Sequence, residues 1–139
     1  MLNDLEQACN AIEECYEFML AYAAQGLPSD VGSPSSGRLR ELLRRAVRAL
    51  AGLAAIYAEA VKQEGLEPAE RYQAFLAVLD RDARDSLAAV ELVLAQPALS
   101  SQLIDNLNAS IHLRALLTDL FVIDEILKLQ RIVAKPVTK

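Results

Sequence analysis

One helix-forming stretch, Ser100 to Gln130, is apolar along two opposite lines. At about 100° per residue, Ile104, Leu107, Ile111, Ala115, Thr118, Val122 and Leu129 share one stripe. Leu113, Leu116, Leu117, Leu120, Ile123 and Leu127 form a second, roughly opposite. A single helix of this kind cannot lie on the surface of a small monomer, because only one side of it would be covered. The pattern therefore predicts packing on both sides, within the chain or against another chain.

The other segments read as amphipathic helices. Leu2–Gln25 places Leu5, Cys9, Ile12, Tyr16, Met19 and Ala23 at core spacing, and its charges are all acidic. Gly26–Gly37 (GLPSDVGSPSSG) is a long Gly/Pro/Ser loop, read as a connector rather than a functional loop. Arg38–Gly65 carries Leu39, Leu43, Val47, Leu50, Ala54, Tyr57 and Val61 inward, with Leu42, Leu53 and Ile56 widening the apolar arc. Pro68–Ala95 follows, with DRDARD (Asp80–Asp85) as a solvated face. Pro97 ends that helix, and Ser100 or Ser101 caps the next.

Four long helices joined mostly by short turns predict an all-α, antiparallel up-down four-helix bundle over residues 1–130, with a basic tail at 131–139. Composition agrees. Ala and Leu supply 47 of 139 residues and Trp is absent, which favours helix over strand. The net charge of −5 disfavours nucleic acid as a partner. No apolar run reaches the roughly 18 residues of a membrane span. The acidic, amphipathic N-terminus does not resemble a signal peptide. Cys9 and Cys15, six apart on one helix, suggest neither a zinc knuckle nor a disulfide framework. A reduced, cytoplasmic protein is the expectation.

Three constellations can carry function. The first is the surplus apolar surface, Leu42, Leu53, Ile56, Leu113, Leu116, Leu117, Leu120, Ile123 and Leu127, read as a homodimer interface. The second is Arg38, Arg40, Arg44, Arg45 and Arg48, a candidate anion site. Pairing with the first helix is the favoured alternative. Arg48 and Glu14 each lie some 16 Å from the intervening loop, at about 1.5 Å per residue. At least two of Arg44, Arg45 and Arg48 should therefore reach Glu13, Glu14 or Glu17. The third is a polar line, Asp105, Asn108, His112 and Asp119, on the last helix. It could hold a general base, but no nucleophile accompanies it.

No metal site is expected, since the Glu-x-x-His motif of di-metal bundles is absent and His112 is the sole histidine. No cofactor is expected either. The leading expectation is a non-enzymatic interaction module, an adaptor, chaperone-like accessory or regulatory subunit, acting as a homodimer with another protein as partner. The alternative is a small-molecule or cofactor-binding bundle, with or without enzymatic activity, with its ligand near Tyr16, Tyr57, Tyr72 or His112. A weaker one is a nucleic-acid-associated protein.

Overall fold

A computed structural model describes the backbone of residues 2–134 and the side chains of residues 4–133. Every regular element among them is a helix: α1 (Leu2–Ala24), α2 (Ser36–Glu64), α3 (Ala69–Leu94), α4 (Ser101–Ala109) and α5 (Ile111–Ala134). There are five helices where the sequence predicts four. α1 packs on α2, α2 on α3, α3 on α5, and α4 returns to α1. None of the described helices is long and apolar enough to cross a membrane.

The fifth helix arises from a break in the last stretch. Ser110 is extended (φ −63°, ψ 143°), so α4 stops at Ala109. The Ser110 Oγ then accepts from the Leu113 amide at 3.4 Å, and the Ser110 carbonyl accepts from the Arg114 amide at 3.2 Å. That is an N-cap inside an unbroken apolar pattern. One extended residue shifts the helical phase by a large angle. Ile104 and Leu107 face inward before the break, while Leu113, Leu116, Leu117, Leu120, Ile123 and Leu127 face inward after it. The two apolar stripes are thus largely the core faces of two helices.

This corrects the interface expected from sequence. Leu42, Leu53, Leu116, Leu120, Ile123 and Leu127 are at most 1% exposed, and Leu113 and Leu117 are also buried. Ile56 packs partly against the same core. The buried leucines and Ile123 fill this chain's own interior, so no partner can use them as a surface, while Ile56 stays partly exposed.

Other boundaries follow local chemistry. Gly65 ends α2 in the left-handed region (φ 61°), its amide returning to the Lys62 and Val61 carbonyls. Only glycine adopts that conformation freely, which is why the helix stops there. Ser100 caps α4 by accepting from the Leu103 amide at 3.0 Å. Of the tail expected from Arg131 onward, Arg131–Ala134 continue α5, and the rest lies outside the described residues. Arg131 instead pins α5 to the end of α2 through Glu64 at 3.0 Å.

The Gly26–Gly37 loop is tied down by one acid. Asp30 is 1% exposed. Its carboxylate accepts from Arg40 Nε at 2.8 Å, the Leu99 amide at 2.7 Å and the Ser36 hydroxyl at 3.1 Å. Burial pushes this carboxyl up, but the Arg40 hydrogen bond, the two other donors and the Arg40 charge outweigh it and hold it below the ordinary carboxylate range. Arg40 also donates to the Leu94 and Gln96 carbonyls at 3.2 and 3.1 Å. Next to this, Ser101 donates to the Tyr22 carbonyl at 2.7 Å and accepts from the Leu27 amide at 2.8 Å. The ends of α1 and α3 and the starts of α2 and α4 are joined in one polar clasp.

Candidate functional site

The strongest surface feature is the outer side of α5. Ile111 is 74% exposed, Phe121 62%, Leu129 51%, Ile132 65% and Val133 79%, with Val122 also exposed. Ile111, Ala115, Val122, Leu129 and Val133 fall within about 60° of one line on the helix. Phe121 and Ile132 flank that line. Exposed apolar surface of this kind favours association. Part of the stripe, Ile111, Val122 and Leu129, belongs to the first of the two apolar lines seen in the sequence. The break at Ser110 turns it outward.

The arginine cluster is mostly spoken for. Arg40 belongs to Asp30, as described above. Arg38 and Arg45 share Glu14, at 2.9 and 3.3 Å. Of Arg44, Arg45 and Arg48, only Arg45 reaches an acid of α1, so the expectation of at least two is not met. The register is offset by about one turn, bringing Arg45 rather than Arg48 beside Glu14. Arg44 and Arg48 are exposed and make no ion pair with another described residue. Arg48 borders an open groove between α1 and α2. These exposed pairs contribute little to stability.

The predicted polar line is divided. Asp105 and His112 are exposed, whereas Asn108 and Asp119 are buried. Neither polar atom of the Asn108 amide has a partner among the described residues, and Asp119 Oδ2 has none. His112 contributes its backbone carbonyl, which accepts from the Ser86 hydroxyl at 3.0 Å. Asp119 faces Asp82 of α3 rather than His112. Burial, with Asp82 beside it, pushes the Asp119 carboxyl up to about 7.

A second polar group, not legible in sequence, joins three helices. The Tyr57 hydroxyl donates to Asp124, and the Cys9 thiol lies 3.1 Å from that hydroxyl. Burial raises all three groups: Tyr57 upward, Cys9 to about 11, and Asp124 upward against the pull of Tyr57 and Arg131. Cys15 is pushed by burial to about 12. Both cysteines are free and buried. Neither is set up as a thiolate nucleophile, since that requires a lowered pKa.

Tyr16 and Cys15 line an internal void of about 20 Å³, room for no more than a water. Tyr72 lines a larger hollow of about 270 Å³ with Pro68, Arg71, Phe75, Ile123 and Ile126, open to solvent. Among the described residues no cluster of three or more His, Cys, Asp or Glu is arranged to hold a metal ion. No protein-family model, curated protein or solved structure matches this chain.

Proposed function

We propose that this protein is a non-enzymatic interaction module, an accessory or regulatory subunit, that self-associates through the outer face of α5. In this reading α4 and α5 together form the fourth member of an antiparallel four-helix bundle. The observation that carries it is the exposed stripe Ile111, Val122, Leu129 and Val133, flanked by Phe121 and Ile132. The stripe is self-complementary. A two-fold axis at Val122 sets Ile111 opposite Val133 of a second copy, and Ala115 opposite Leu129, small against large. Isologous contacts of this kind close into dimers. The exposed parts of these side chains amount to on the order of 600 Å² per protomer. Doubled, that is the lower edge of a stable interface.

Two further features support a binding rather than a catalytic role. Tyr57, Asp124 and Cys9 are committed to one another. The void beside Tyr16 is too small for a ligand. Free Cys9 and Cys15 fit a reducing compartment, which is the support for a cytoplasmic location.

A Val122→Cys variant tests this reading, because the axis brings both copies of the residue together. Mild oxidation should yield a covalent dimer on a non-reducing gel, with the native cysteines silent in the core. Leu92→Cys is the control, at a site 68% exposed on α3. Cross-linking of Val122→Cys no faster than Leu92→Cys would contradict the proposal.

A further inference from the structure

Between the head of α3 and the middle of α5 lies the hollow of about 270 Å³, open to solvent. Pro68 and Phe75 on one side and Ile123 and Ile126 on the other make it apolar. Arg71 and Tyr72 add its polar groups. Apolar walls with a few polar groups are the ordinary make-up of a small-molecule site. A closed apolar cavity of about 150 Å³ takes a benzene ring, so this hollow has room for a ring and a short side chain.

Both polar groups are unspent. Tyr22 and Tyr57, which have no exposed surface, donate to the Leu99 carbonyl and to Asp124. Tyr72 is 9% exposed, yet its hydroxyl has no hydrogen-bond partner among the described residues. A polar group buried to that degree ordinarily has one, in the protein or in what the site holds. Arg71 is exposed, and its guanidinium makes no ion pair with a described residue. Arg48 also borders a groove, but Asp4 and Glu14 line that groove with it. No acid lines the hollow beside Arg71.

We propose that this hollow binds a small organic monocarboxylate with an aromatic or compact apolar body. The body packs on Phe75, Ile123 and Ile126, and the carboxylate accepts from the Arg71 guanidinium and the Tyr72 hydroxyl. A guanidinium offers paired N–H groups that match the two oxygens of a carboxylate. The surrounding charge selects a single negative charge. Glu67 and Glu70 flank Arg71 at the head of α3 and oppose the second charge of a phosphate. Glu67 also accepts from the Ala69 amide at 3.3 Å, so an acid already occupies the first free amide of that helix. This goes beyond the dimer reading and does not depend on it.

The experiment titrates 3-phenylpropanoate into the full chain at neutral pH, read by methyl and aromatic carbon NMR. Signals of Tyr72, Phe75, Ile123 and Ile126 should move saturably, with a dissociation constant of about 1 mM or tighter. Arg71→Gln should weaken the acid about tenfold and leave binding of the neutral 3-phenylpropan-1-ol unchanged, a split that a merely structural role would not give. Tyr72→Phe should weaken the acid about threefold. Ile126→Trp should exclude both probes by filling the hollow. Ile126 is half-buried, and unchanged helix content shows that this variant still folds. No saturable movement up to about 10 mM acid would overturn the proposal. So would equal affinity of wild type for the acid and the alcohol, or movement of Val122 and Leu129 on the outer stripe in place of the hollow.

Discussion

Leu116→Glu combined with Leu120→Glu should abolish the cooperative fold. Both leucines are at most 1% exposed, on the inward stripe of α5. Truncating such a side chain to alanine costs about 2–5 kcal/mol, and a carboxylate in its place adds a desolvation cost. Two of them, with the desolvation of two carboxylates, reach the roughly 5–15 kcal/mol by which a domain is normally stable. Circular dichroism and urea titration are the checks. Helix content should fall, and no sigmoidal transition should remain. A folded, cooperative double variant would mean that this stripe faces outward and that the assigned inside of α5 is wrong.

Asp30→Ala should be the most damaging single change outside the apolar core. It removes the acceptor for the Leu99 amide and Ser36 hydroxyl, and leaves Arg40 without its anion. Arg40 is only 20% exposed, so its charge stays largely desolvated. Breaking a buried pair from one side typically costs 3–5 kcal/mol, and that is the loss expected in the urea midpoint. Arg40→Leu added to Asp30→Ala should recover part of the loss, since the orphaned charge disappears. If Asp30→Ala behaves like an exposed loop substitution, within about 0.5 kcal/mol of wild type, the clasp contributes nothing.

Much of the fold was legible because helical periodicity is a local signal. α1, α2 and α3 lie within a few residues of their predicted bounds, and α2 is buried as broadly as its apolar arc implied. The break at Ser110 was not legible. The apolar pattern continues on both sides of it, and a phase slip leaves no gap in that pattern. The available signal was Asn108 and Ser110, two cap-forming residues in the middle of an otherwise apolar run.

The clasp was missed for another reason. Asp30 lies in a loop rich in turn residues, where an acid is ordinarily solvated, and its partner Leu99 is 69 positions away. Asp119 was singled out, but with His112 as companion, because both share one line on an unbroken helix. Its real neighbour, Asp82, sits in the DRDARD run that reads as a solvent face. Only the register of α3 against α5 brings the two carboxyls together. Pairing of the arginines with α1 was read in kind, but its register was off by about a turn.

The proposed dimer is argued from the outer stripe of α5, and sedimentation equilibrium tests it most directly. Wild type, between about one and several hundred micromolar, should pass from monomer toward twice the mass of the 15.2 kDa chain. Val122→Glu together with Leu129→Glu should remain monomeric over the same range with unchanged helix content, because both positions lie outside the core. A wild type that stays monomeric at several hundred micromolar would contradict the dimer.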